Sequence, residues 1–434
     1  MRERGADERL GNSLRALLNR VFYGWWVILL GSLIIMVGAG ILIHGFTVFF
    51  LPLKRDLAVS SAAISLLYGA ARLEGGAEGP LVGYLVDRWG PRAMMLAGAI
   101  LAGTGFILLS LVQTFWQFFC IYIFVISLGF NAGFFHPVYA AVNSWFIRRR
   151  GIGFGLTGVA ASVGGMVMAP LLSYLILSFG WRTGAVIAGA ILLVVAVPAA
   201  LPIRRTPESM GLLPDGDLPG GDSAPGMSSR PEPAPQREFT VAEALRITDF
   251  WILLFAIALR VSITVALTIH FVHLFVWRGL TEAASAYLVS LFAMSTIPIT
   301  LVCGWFGDRW DKTLICGLGV LPTMAGILLL MHGQSGISLY ALPVGLAITM
   351  GTVPLNWALI GDFFGRRSYG TLRGIMVVGT GLGTFLSPIY AGWVFDRTES
   401  YAPALWTFFA VHLLAAVLFF VIHRRSPQRR FLVK

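Results

Sequence analysis

The sequence predicts an all-α membrane protein of twelve transmembrane helices in two pseudo-symmetric six-helix bundles. Three observations carry that expectation. Of 434 residues, 57% are hydrophobic and only 12% charged, against about 25% charged in soluble domains. Apolar runs of about 20 residues recur along the chain, each long enough to cross a hydrocarbon core of roughly 30 Å as a helix. A single long polar stretch between Arg204 and Glu238, rich in Pro, Gly, Ser and Asp, divides these runs six and six. A soluble enzyme does not fit these numbers.

Hydropathy and helix breakers place the spans at residues 24–52, 60–86, 92–112, 118–145, 151–178, 182–202, 250–276, 284–306, 313–332, 336–362, 370–395 and 402–423. The basic segment from Met1 to Arg20 precedes an apolar run too long for a signal-peptide core, so 24–52 reads as the first span. The expected organisation is an N-terminal bundle over 1–203, a flexible inner linker over 204–240 and a C-terminal bundle over 241–434. With both termini inside, 25 of the 32 Lys and Arg residues fall in inner segments and five in outer ones. Arg72 and Arg260 lie within spans. This is the positive-inside pattern of a cytoplasmic membrane protein, and Arg148, Arg149, Arg150, Arg366, Arg367 and Arg373 count among its inner-loop charges. The net charge of +11 therefore sets orientation and makes no case for nucleic acid.

Other chemistries find no support. Cys120, Cys303 and Cys316 have no metal-ligand spacing and fit no disulfide framework. No phosphate-binding loop of an ATP-driven pump occurs. Nothing in the sequence calls for a cofactor, a metal or an obligate protein partner, which leaves a lipid bilayer, a small-molecule substrate and protons.

The halves repeat. Gly83-Tyr84-Leu85-Val86-Asp87-Arg88-Trp89 matches Gly304-Trp305-Phe306-Gly307-Asp308-Arg309-Trp310 at an offset of 221, and Trp145-Phe146-Ile147-Arg148-Arg149 matches Phe363-Phe364-Gly365-Arg366-Arg367 at 218. Two halves on one plan in parallel orientation mark a two-bundle secondary transporter. Asp87 and Asp308 stand where spans 2 and 8 turn back. Each carboxylate is placed to cap a helix or meet a cation across the bundles. The expected inner gate comprises Asp87, Arg88, Arg92, Asp308, Arg309, Arg149 and Arg366, with topogenic charge as the alternative reading.

The run from Gly83 to Arg92 resembles the inner-loop signature of the major facilitator superfamily. Within it, Trp145 to Gly151, Gly180-Trp181-Arg182, Tyr23-Gly24-Trp25-Trp26 and Pro214-Asp215-Gly216-Asp217 resemble the monocarboxylate transporter and oxalate:formate antiporter branch. The resemblance implies alternating access and a small organic anion, often moved with a proton. It also implies an arginine in span 8 four residues before the signature glycine, where this chain has Thr300, and a lysine in span 11 of oxalate carriers, where 370–395 has none. These departures argue against oxalate. Animal monocarboxylate transporters carry a titratable lysine where this chain has His44, which makes His44 a proton site by analogy.

Charges within the spans draw the remaining attention. A charge at mid-membrane costs roughly 2.5–3.5 kcal/mol on insertion scales, so Arg72, Glu74, Glu78 and Arg260 must face protein or a wet cavity. Glu74 and Glu78, four residues apart, share a helix face that Arg72 does not. The functional reading makes Glu74 or Glu78 the protonatable group, and Arg72 or Arg260 its counter-ion or the clamp for an anion. A buried structural ion pair remains the alternative. His136, roughly 14 Å above Trp145, and Tyr139 are placed to touch substrate. A multidrug or metabolite exporter and a transport-silent sensor stay open as other readings of the scaffold.

Overall fold

The computed structural model describes residues 22–45, 48–49, 52–53, 56–57, 61–217, 238–333 and 338–425. Among these residues the regular structure is entirely helical. Eleven helices are long and apolar enough to cross a membrane. The N-terminal half holds α1 (Tyr23–Gly45), α2 (Ser61–Trp89), α3 (Pro91–Leu109), α4 (Phe115–Trp145), α5 (Arg150–Phe179) and α6 (Trp181–Ala200). The C-terminal half holds α7 (Thr248–Ile269), α8 (Glu282–Gly307), α9 (Lys312–His332), α10 (Ser338–Phe364), α11 (Tyr369–Thr398) and α12 (Ala402–Arg425). The additional long helix is α2, with 29 residues; its Arg72, Glu74 and Glu78 dilute its apolar character.

One span breaks where the sequence expects it to continue, and one charge counted in a loop falls inside its helix. The span expected to reach residue 276 breaks at His270 (φ −86°, ψ 6°) and resumes as Phe271–Trp277. His270 lies against Tyr401 and the Pro388 carbonyl at 3.0 Å each, contacts that hold the break. Helix α11 begins at Tyr369 and so encloses Arg373, which is buried rather than in a loop.

Small residues bring the helices together. A Cβ on Gly98 of α3 would overlap the backbone of Gly133 in α4, and one on Gly164 of α5 would overlap the Met36 carbonyl of α1. Without a strong hydrophobic force between helices in lipid, such close backbone approach supplies the packing. Large apolar side chains including Leu177, Val194 and Met294 remain exposed on the periphery, as a lipid-facing surface requires. Between the halves, α2 lies along α11 and α5 along α8. Exchanging the two halves turns one contact into the other. Both contacts converge on the end of the molecule that carries the linker, termed here the linker face.

Candidate functional site

Paired carboxylates close the linker face. Asp87, at the end of α2, accepts hydrogen bonds from the backbone N–H groups of Gly370 and Thr371, both at 2.8 Å, and from the Thr371 hydroxyl at 2.7 Å. Asp308 answers from the other half, accepting from the N–H groups of Gly151 at 2.5 Å and Ile152 at 2.9 Å. Each carboxylate thus sits on the N-terminal turn of a helix in the opposite half, where unpaired N–H groups and the helix dipole favour negative charge. The glycines permit the approach. A Cβ on Gly83 would overlap the Gly370 carbonyl, and Gly151 and Gly304 stand in the same relation.

The gate expected from sequence is therefore built differently. Asp87 and Asp308 meet backbone rather than Arg149 or Arg366. Arg88 donates to the Tyr84 hydroxyl at 3.1 Å, Arg309 stacks on Trp305 at 3.7 Å and Arg149 lies 5.9 Å from the Trp25 ring; all three are exposed, and Arg92 is half-buried. Arg366 does cross between the halves, donating to the Ser144 carbonyl at 2.9 Å and pairing with Glu208 at 2.8 Å.

The linker, expected to be flexible, contributes two further caps. Asp215 accepts from the N–H groups of Ile147 at 3.0 Å and Arg148 at 2.9 Å, and Glu238 accepts from those of Arg366 at 2.8 Å and Arg367 at 2.7 Å. Asp215 adopts φ 61°, a left-handed conformation that Asp tolerates. Residues 218–237 of the expected linker, like the basic residues before Phe22, lie outside the described residues.

Behind the clasp runs a buried ion triad. Asp362 of α10 accepts from Arg150 Nη1 at 2.9 Å and from Lys312 Nζ at 2.7 Å. Arg150 belongs to the N-terminal half, the other two to the C-terminal half. Sequence reading had left Arg150 as a loop charge.

Towards mid-membrane the predicted residues separate into distinct groups. Glu74 accepts from the Ser127 hydroxyl at 2.6 Å, and Glu78 faces Glu74 and Asn131, its buried carboxylate oxygens closing no hydrogen bond among the described residues. The Arg72 side chain lies outside the described residues. Arg260 touches neither acid among the described residues. It is wholly buried in the C-terminal half, donating to the Thr352 hydroxyl at 2.7 Å over the Phe419 ring. His44 is exposed, its ring against Gly165 of α5. His136 and Tyr139 are buried together, and beside them stands a cation that sequence reading had left in a loop. The Arg373 guanidinium lies 4.8 Å from the Tyr139 ring and 4.6 Å from that of Trp357, with Tyr369 donating to the Trp357 carbonyl at 3.1 Å.

The arrangement is that of a known transporter scaffold. The sequence model of the Major Facilitator Superfamily matches residues 28–376 and 279–433. The chain belongs to this superfamily. Human monocarboxylate transporter 11 is 27% identical over 373 residues, 81% of this chain and 73% of that protein. Monocarboxylate transporter 3 of Rattus norvegicus is 25% identical over 87% of this chain and 76% of its own length. The fujikurins efflux protein of Gibberella fujikuroi is 26% identical over 57% of this chain and 49% of its own length. Among solved structures, the superfamily transporter FucP in its outward conformation superposes with a TM-score of 0.67 at 16% identity, covering 91% of this chain and 96% of FucP. The superfamily protein is thus a multi-pass membrane transporter of a small molecule, not an enzyme.

For a superfamily transporter, the Asp87 and Asp308 contacts are ones that opening the linker face must break. Such an opening would take Asp308 from its two N–H partners into water. Burial pushes its carboxyl up to about 6, outweighing the nearby Lys312 and the two N–H bonds. In water the group returns to about 3.9. The closed form therefore binds the proton more tightly, so its advantage is fully present below about pH 4 and is lost as pH rises through about 6. Distances between spin labels across the linker face should show several-fold more closed form at pH 5 than at pH 7.5. Asp308→Asn should flatten that dependence, and an identical profile in the variant would rule Asp308 out as its source.

Proposed function

We propose that the protein is a secondary active transporter of a small organic anion, monocarboxylate-like and proton-coupled, working by alternating access in the cytoplasmic membrane with both termini and the linker face cytoplasmic. The observation that carries this reading is the clasp itself. Asp87 and Asp308 hold the linker face through hydrogen bonds to the opposite half that a rocking motion can break and reform, beside ring contacts such as Tyr139–Trp357 and Phe154–Tyr369. The distribution of basic residues supports the orientation, and the monocarboxylate transporters among the relatives support the anion.

Proton coupling falls to Glu74 and Glu78. Two carboxyl groups face each other in α2 with no cation bonded to either among the described residues, and a proton on one relieves their repulsion. Ser127 and Asn131 of α4 line the same spot, so protonation there changes how α2 sits on α4. Reconstituted in liposomes, the protein should exchange lactate or a similar monocarboxylate and accumulate it under an imposed inward proton gradient. The Glu74→Gln, Glu78→Gln double variant should retain exchange and lose the response to the gradient by tenfold or more. Gradient-driven uptake equal to wild type would remove these residues from coupling.

The fujikurins efflux relative and Thr300 in place of an arginine favour a second reading, export of a larger metabolite. Exchange of bulky hydrophobic compounds with no exchange of any carboxylate would establish it.

A further inference from the structure

Four Arg or Lys side chains are buried among the described residues, and three have partners. Arg150 and Lys312 share Asp362, and Arg260 donates to Thr352. Arg260 still leaves Nε and Nη2 unmatched, and Arg373 alone of the four has no hydrogen bond at all among the described residues. It is 4% exposed, and its Nε and Nη1 have no hydrogen-bond partner among the described residues. No carboxylate pairs with it there, although a charge buried without a partner is among the most unfavourable arrangements a protein can hold.

The surroundings explain how the side chain is held and what is missing. Tyr139 and Trp357 engage the guanidinium through their rings, a contact that orients a cation but leaves its N–H groups unanswered. His136 lies near enough to feel the arginine's charge, and its Nδ1 is also buried without a partner. Nε and Nη1 each share an edge of the guanidinium with Nη2, which also makes no hydrogen bond among the described residues, and either edge, set among aromatic rings, fits the two in-plane oxygens of a carboxylate.

We propose that Arg373 is the anion anchor of the transporter, and that Arg373, Tyr139, Trp357 and His136 form a one-cation site for a monoanionic organic acid. This rests on the anion reading above and names the residue that reading leaves open. One guanidinium neutralises one negative charge. A dicarboxylate or a phosphate monoester would bring a second, unmatched charge into a buried site. The aromatic rings favour an acid with an apolar or flat body over a hydrophilic one.

The position has a mechanical consequence. Arg373 lies one turn from the start of α11, directly above the Gly370 and Thr371 N–H groups that Asp87 holds. Tyr139 belongs to the N-terminal half, and Arg373 and Trp357 to the other. Opening the linker face therefore separates the anchor from Tyr139, and the bound anion is released to that side. Position 373 also breaks the internal repeat. The capped pairs Gly151-Ile152 and Gly370-Thr371 set Arg373 opposite Phe154.

Thermal shift of the purified protein tests the proposal, with lactate, benzoate, succinate and glycerol 3-phosphate as probes. Benzoate and lactate should raise the melting temperature of wild type, and succinate and glycerol 3-phosphate should do so less at equal concentration. Arg373→Gln should weaken monocarboxylate binding by roughly a hundredfold. Arg373→Lys keeps the charge without the fork and should weaken it by about tenfold. The lysine variant also serves if the glutamine variant fails to fold. A monocarboxylate affinity unchanged by either substitution overturns the anchor and leaves the anion reading standing, as does a stronger response to glycerol 3-phosphate than to benzoate. A wild-type protein that responds to none of the anions overturns both.

Discussion

Replacing Asp362 by Asn should drive the protein out of the closed form seen here. The carboxylate neutralises Arg150 and Lys312 together, and the two cations are 0% and 3% exposed. Removing one partner of a buried ion pair is destabilising by about 3–5 kcal/mol, because the charge left behind has neither counter-ion nor water. Here the variant takes the shared carboxylate from two cations, leaving Arg150 on the Asn143 carbonyl and Lys312 near Asp308. Arg150 opens α5 in the N-terminal half, so parting the halves at the linker face lets it reach water, whereas Lys312 stays within its own half. Most of the penalty therefore falls on the closed form and the remainder on the fold. The closed-to-open ratio should fall by about a hundredfold or more, with a smaller drop in melting temperature. Spin labels at the exposed positions Arg149 and Arg309, one in each half, would read the change as a shift to longer distances. A distance distribution identical to wild type would mean that the triad does not hold the halves together.

This triad shows where sequence reading stopped. Asp87 and Asp308 were legible because the motif around them repeats. Their partners were not, since the N–H groups at the start of a helix belong to no particular residue type. For the same reason Asp215 and Glu238, inside a stretch whose composition suggests only a linker, gave no sign that they cap the loops before α5 and α11. The span expected over 370–395 already contained Arg373. Hydropathy tolerates one charge near a span end, and the neighbouring Arg366 and Arg367 drew it into the loop count. The one available signal was asymmetry, an arginine where the offset of 218 places Gly155 and the capped pairs place Phe154, neither of them charged. Arg260 was placed within its span, but α7 is apolar on every side, so nothing along the sequence distinguished the face towards Thr352 and Phe419 from the face towards the other half.

The contrast between glycines that join the halves and glycines that build one half yields the second large effect. A Cβ on Gly83 would overlap the Gly370 carbonyl and lie 2.8 Å from Thr371 Cα; one on Gly133 would lie 2.6 Å from Gly98 Cα. Both meet backbone, which cannot rotate aside, so either alanine substitution should cost about 1–3 kcal/mol. The two costs fall on different equilibria. In the rocking mechanism proposed above, the α2–α11 contact at Gly83 exists only while the linker face is closed, whereas the α3–α4 contact at Gly133 lies within the N-terminal half and persists as the halves rock. Gly83→Ala should leave the melting temperature within a degree or two of wild type, shift the Arg149–Arg309 label distances outward and reduce the closed form by about fivefold to a hundredfold. Gly133→Ala should leave those distances alone and lower the melting temperature by several degrees. If Gly83→Ala instead lowers the melting temperature as much as Gly133→Ala and leaves the distances unchanged, the α2–α11 contact belongs to the permanent core of the fold. The moving surface would then have to be sought elsewhere.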